Sequence, residues 1–138
     1  MMIVANAEVS RGASAFFADN ADALGVDASR IAVMGESAGG GLAAMLTLMA
    51  RDRNEVNIVQ QILVYPMLDD RTGSTKPMPY WMGAYSWNDA ANRFGWSSLL
   101  GVPAGSKQVP EGSVPAREGN LRGGAHIYRC WFSGFICE

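Results

Sequence analysis

The chain has 138 residues, 49% of them hydrophobic, with a mean hydropathy of +0.03 and a formal charge of -2, values that describe one compact domain and exclude a disordered tail. Its 11 Lys and Arg and 13 Asp and Glu are scattered without a basic run, which excludes an electrostatic footprint for nucleic acid or anionic lipid and leaves a small molecule as the expected ligand. No apolar stretch approaches the roughly 18 residues of a bilayer span, and Met1-Met2-Ile3-Val4-Ala5-Asn6 has neither the charge nor the apolar length of a signal peptide, so no membrane association and a cytoplasmic location are expected.

Residues 13–24 read as a helix, because Phe16, Phe17, Ala21 and Leu24 recur near a 3.6-residue spacing while Asp19, Asn20 and Asp22 fall on another face; Gly25 ends it. After a short connection, Arg30-Ile31-Ala32-Val33-Met34 is an apolar run too brief for a helix and reads as a strand buried on both faces. Residues 38–53 form a second helix, with Leu42, Met45, Leu46 and Met49 on one face and Ala and Leu supplying helix propensity behind the glycines at its start. Residues 58–65 are a second β-branched strand, closed by Pro66, which removes the next ladder donor. Strand, helix, strand implies a parallel pair joined by a crossover, hence an α/β layered sheet. A loop with Asp69, Asp70, Gly73, Pro77 and Pro79 follows, then a helix over 87–100 with Ser86 and Asp89 at capping-box spacing, and then an irregular Pro- and Gly-rich stretch over 101–124.

Chemistry concentrates in Gly35-Glu36-Ser37-Ala38-Gly39, a G-x-S-x-G string set between the first strand and the Ala-rich helix. A serine at such a reversal is held in a strained conformation that lifts its hydroxyl out of the C-terminal edge of the sheet, with Gly35, Glu36, Gly39 and Gly40 forming the rest of the elbow. Ser37 is the candidate nucleophile, and the main-chain N–H of Ala38, at the helix N-terminus, is the candidate oxyanion donor. The competing reading, a phosphate cradle at Gly39-Gly40-Gly41, lacks the Gly-Lys-Ser or Gly-Lys-Thr continuation and sets Glu36 against an anion.

Several stretches around this string resemble the hormone-sensitive-lipase-like (family IV) carboxylesterases of the α/β-hydrolase fold-3 family. They are Ala18-Asp19-Asn20-Ala21, Leu24-Gly25-Val26-Asp27, the run Arg30 to Gly40, Tyr65-Pro66-Met67-Leu68-Asp69-Asp70-Arg71 and Asn92-Arg93-Phe94-Gly95-Trp96, in the family's order across about residues 18–121. The resemblance implies a partial α/β-hydrolase fold and hydrolysis of small, short-chain carboxylic esters through a seryl acyl-enzyme, without cofactor or metal. It also implies a His base, an Asp that orients it, and a His-Gly-Gly-Gly motif supplying further oxyanion donors. None of these three maps onto this sequence. His126, the single histidine, lies too early to be the family's base, and Asp69 and Asp70 belong to the loop after Tyr65.

The resemblance fades near Asn120-Leu121, so residues 1–138 are read as one partial domain with an incomplete sheet and an aberrant tail over 122–138. Read one base later, the codons of the tail permit Pro-Thr-Phe-Ile-Gly-Val-Gly-Ser-Leu-Asp-Leu-Phe-Val, which is similar to the family's strand and acid motif. A one-base frame change near Leu121 is therefore expected, and with it a truncated or frameshifted piece of an esterase. An inactive fragment that only associates through its sheet edges is the alternative. Oligomeric state is not legible.

Other residues carry plainer expectations. Trp81, Tyr85, Trp87, Phe94 and Trp96 are read as packing of a helix on the sheet, with an acyl-pocket wall as the alternative. Met67, Met78 and Met82 are adaptable filler. Asp69 and Asp70 lack further ligands at metal spacing. Cys130 and Cys137 are incidental thiols, and Glu36 anchors the elbow through a partner the sequence does not name.

Overall fold

The computed structural model describes residues 2–79, 81, 83, 85–118 and 126–130, with the backbone alone described for 2–10 and 126–130. Met82 and Cys137 lie outside the described residues. The element order is α1 (Met2–Asp19), α2 (Ala21–Leu24), a 3-10 turn (Ala28–Arg30), β1 (Ile31–Glu36), α3 (Ala38–Arg53), β2 (Ile58–Val64), α4 (Asp89–Leu100), a second 3-10 turn (Pro115–Arg117) and β3 (His126–Cys130).

The predicted helix over 13–24 is two helices. The chain breaks at Asn20, whose side-chain amide donates to the Phe16 carbonyl at 2.8 Å, and Gly25 closes α2 in the left-handed conformation with φ 67°. Arg30 belongs to the 3-10 turn before β1, not to the strand. That turn is capped by Asp27, whose carboxylate accepts from the Ser29 N–H at 2.9 Å.

β1 and β2 are parallel and in register from Ala32↔Gln60 to Glu36↔Val64, after a shift between Ile31 and Ala32. β3 continues the parallel sheet beyond β2, pairing Gln60↔His126 through Val64↔Cys130, so the order is β1-β2-β3. The sequence pointed to two strands. The third was hidden because His126, Tyr128, Arg129 and Cys130 do not form an apolar run.

β1 is not buried on both faces as expected. Its burial alternates, and Met34 is 71% exposed, because α3 covers only the face that carries Ile31, Val33 and Gly35. α3 is buried on more of its surface than the predicted stripe. Ala43, Ala44, Met45, Leu46, Thr47, Leu48 and Ala50 are all buried, while Leu42 and Met49 are half-buried. The reason is that three partners surround it. Ala43 and Ala44 meet Leu63 and Val33 of the sheet; Leu46 and Ala50 meet Ile58 together with Ala15 and Ala18 of α1; Met45 meets Trp96 and Leu100 of α4 and Val114.

α4 starts two residues later than predicted. Asn88 is its cap, accepting the Ala91 N–H at 3.0 Å, so the Ser86 and Asp89 pairing does not form the cap. Of the aromatic group, Trp96 is a core residue at 1% exposure, but Trp81, Tyr85 and Phe94 are well exposed, contrary to the packing role expected for them. Trp87 lies against Gly95 and donates its indole N–H to Asn92 Oδ1 at 2.9 Å. Met67 is half-buried and packs against the α4 core.

Candidate active site

Ser37 stands at the reversal between β1 and α3 with φ 54° and ψ -119°, a conformation an L-residue rarely adopts. Its main chain is tied to the end of β2 on both sides. The Ser37 N–H donates to the Val64 carbonyl at 2.9 Å, and the Ser37 carbonyl accepts from the Met67 N–H at 3.0 Å and the Gly41 N–H at 3.2 Å. The strain is therefore held in place by neighbouring backbone and not by the pentapeptide alone. The Ser37 side chain is exposed and makes no capping bond to α3, which leaves its hydroxyl presented at the C-terminal edge of the sheet.

Ala38 is the first residue of α3 and is exposed, so its N–H is among the first-turn donors that have no intrahelical acceptor. The glycines around it have separate reasons. A Cβ on Gly35 would lie 2.1 Å from the Gly39 carbonyl oxygen, so the helix could not fold back over the strand end. A Cβ on Gly40 would lie 2.8 Å from Pro66 Cβ, and one on Gly41 would lie 2.4 Å from the Met67 carbonyl oxygen. Gly39 has open space where a Cβ would go. Gly40 and Gly41 thus let the first turn of α3 press against the Pro66-Met67 turn.

Glu36, whose partner the sequence did not name, accepts a hydrogen bond from the Tyr65 hydroxyl. Tyr65 itself has φ 34°.

The loop after Tyr65 is fixed by ion pairs. Asp70 is fully buried and receives Arg117 in two bonds, Nε to Oδ1 at 2.8 Å and Nη2 to Oδ2 at 2.6 Å, together with the Gly105 N–H at 2.7 Å. Asp69 accepts from Arg71 Nε at 2.7 Å and from Lys76 Nζ at 2.9 Å. Burial raises the Asp69 pKa, but the bonds from Arg71, Lys76 and the Arg71 N–H outweigh it and lower the carboxyl to about 2. Both carboxylates are consumed by cations, and no group of three or more His, Cys, Asp or Glu among the described residues is placed to hold a metal ion. Arg117 escaped the sequence reading because it lies in the irregular stretch, 47 positions from its partner.

A strand, a left-handed serine, a glycine-lined helix start and a parallel neighbour strand meet at one edge. The profile of the alpha/beta hydrolase fold family matches residues 5–128. The chain belongs to that family. This hydrolase-fold chain superposes on a bacterial heroin esterase with a TM-score of 0.76 and 35% identity, over 86% of its own length and 38% of the esterase. It superposes on esterase LipW from Mycobacterium marinum with a TM-score of 0.63 and 33% identity, over 83% of its length and 34% of that chain. It is also 50% identical over 48 residues to carboxylesterase NlhH from Mycobacterium tuberculosis, a segment that is 35% of this chain and 15% of the relative. The chain thus spans well under half the length of the proteins it matches. The family is one of carboxylesterase-type hydrolases, and the profile match runs past Leu121 into the tail. No helix among the described residues is long and apolar enough to cross a membrane.

Proposed function

We propose that this chain carries the nucleophile half of a serine carboxylesterase acting on small, short-chain esters. The observation that supports this best is the left-handed Ser37, exposed at the strand end with its main chain pinned by Val64 and Met67. In this reading the Ser37 Oγ attacks the ester carbonyl carbon as the hydroxyl proton passes to a base. The carbonyl π pair moves to oxygen, where the Ala38 N–H donates to it, and collapse, with the base returning that proton to the leaving oxygen, expels the alcohol and leaves an acyl-serine that water then cleaves. One such donor is worth about 3 kcal/mol of transition-state stabilisation.

The base and the acid that orients it are not assigned to any residue here. His126 lies on β3, in register with Gln60 at the opposite end of the sheet from Glu36 and Ser37. Asp69 and Asp70 are held by cations. The second reading, a chain without turnover, is favoured by that arrangement. We further propose that the frame changes near Leu121, so that the shifted reading supplies the acid motif after the strand occupied here by His126–Cys130.

The test is labelling with a fluorophosphonate probe followed by peptide mapping, with Ser37→Ala as control. Labelling confined to Ser37 supports the nucleophile, and absence of labelling overturns it for this chain. On p-nitrophenyl acetate the chain alone is expected to show little turnover; robust turnover abolished by Ser37→Ala would show that a base is present after all.

A further inference from the structure

We infer that Glu36 and Tyr65 act as a positioning pair that holds the Ser37 elbow in shape, an inference that rests on Ser37 being the nucleophile. Glu36 is the last residue of β1 and stands in register with Val64, the last residue of β2. The residues that follow them, Ser37 and Tyr65, therefore leave the sheet side by side. Among the described residues only three non-glycine positions have positive φ, and these are two of them, at 54° and 34°; the third, Asn54, is the C-cap of α3. Two strained residues standing next to each other persist only where the surroundings over-determine them.

The surroundings here form a closed loop of bonds. The Ser37 N–H reaches back to the Val64 carbonyl, the Met67 N–H reaches to the Ser37 carbonyl, and the Tyr65 hydroxyl reaches to the Glu36 carboxylate. The first two are main chain and use no side-chain atom. The third is the side-chain tie between the two reversals, and it spans from the residue before Ser37 to the residue after Val64. Without it, Tyr65 has no side-chain bond holding its left-handed turn, and the Met67 N–H is freer to leave the Ser37 carbonyl. Glu36 and Tyr65 then act on the hydroxyl through the backbone, with no contact to substrate.

The test compares Tyr65→Phe, Glu36→Ala, Glu36→Gln and their double variants in the full chain by three measurements: fluorophosphonate labelling rate at Ser37, amide exchange of the segments containing Ser37 and Met67, and melting temperature. Tyr65→Phe and Glu36→Ala should each slow labelling about tenfold and speed exchange at Ser37 and Met67, as loss of one bond to a charged group does. Exchange in the buried part of α3 should stay as in the wild type, and the melting temperature should fall by no more than a few degrees. Glu36→Gln keeps an acceptor and should remain within about twofold of it. The double variant Glu36→Ala with Tyr65→Phe should be no worse than either single one. Unchanged elbow exchange in Tyr65→Phe, or equal loss of protection throughout α3, overturns the pair. If the wild type is not labelled, the nucleophile reading fails, and elbow exchange alone decides the pair.

Discussion

Arg117 grips Asp70 through two parallel bonds of 2.8 and 2.6 Å across 47 residues of sequence, and the carboxylate it holds is fully buried. The guanidinium also donates to the Ser106 carbonyl at 2.8 Å, so one side chain joins the loop after β2 to the segment after α4. Removing it strands a charge away from water. Arg117→Ala is expected to destabilise by about 3 kcal/mol or more in urea unfolding, whereas Asp70→Asn combined with Arg117→Met should recover much of that loss. Equal losses in the two proteins would show that the pair itself, not the orphaned carboxylate, sets the cost.

The three glycines at the start of α3 should separate cleanly. Gly41→Ala, with a Cβ 2.4 Å from the Met67 carbonyl oxygen, and Gly40→Ala, with one 2.8 Å from Pro66, must push the Pro66-Met67 turn off the helix. Each is expected to cost about 2 kcal/mol or more. Gly39→Ala meets nothing within 4 Å and lies in a helix, so it should be neutral or stabilising by up to about 1 kcal/mol. Thermal unfolding of the three variants side by side checks the order.

Stability should also fall in acid, with Asp69 as one cause. Its carboxyl titrates near 2 in the folded chain against an ordinary 3.8, so the unfolded chain takes up a proton first as the pH falls. The stabilisation is complete above about pH 4 and is lost as the pH drops through about 2, amounting to at most about 2 kcal/mol because Lys76 is largely exposed. Asp69→Asn should flatten that part of the pH profile measured by denaturant unfolding. An unchanged slope between pH 4 and 2 would assign the acid sensitivity elsewhere.

The gene itself carries a further expectation. Sequenced from the Arg117 codon to several hundred bases past the Glu138 codon, the frame one base later should stay open and read a Gly-Ser-Leu-Asp string followed farther on by a His. A closed frame would make the tail genuine and overturn the frame change.

Much of the α/β layering was legible because it rests on local rules. The run from Ala38 to Arg53 is a helix on propensity and spacing, β2 ends at Val64, one residue short of the expected Tyr65, because Tyr65 turns out of the ladder ahead of Pro66, and the serine sits where strand meets helix. What escaped was set by distant partners. Met34 reads as core but is bare because α3 covers only the other face of β1; Trp81, Tyr85 and Phe94 read as core and are exposed; His126–Cys130 becomes a strand because β2 offers it an edge. The Glu36 to Tyr65 contact and the Arg117 to Asp70 pair are likewise products of the tertiary fold, invisible to any window of a dozen residues. The place of Ser37 between strand and helix was legible in the sequence, but the Val64 and Met67 atoms that hold its main chain were not.

The way Ser37 is held also limits how far the motif can travel. A peptide carrying residues 31–53 contains the whole pentapeptide, yet the acceptor and donor that fix its serine belong to Val64 and Met67, beyond the peptide's end. Transplanted alone into another scaffold, the string would relax to an ordinary loop. A successful graft must bring the neighbouring strand and its Pro66 turn as a single cassette.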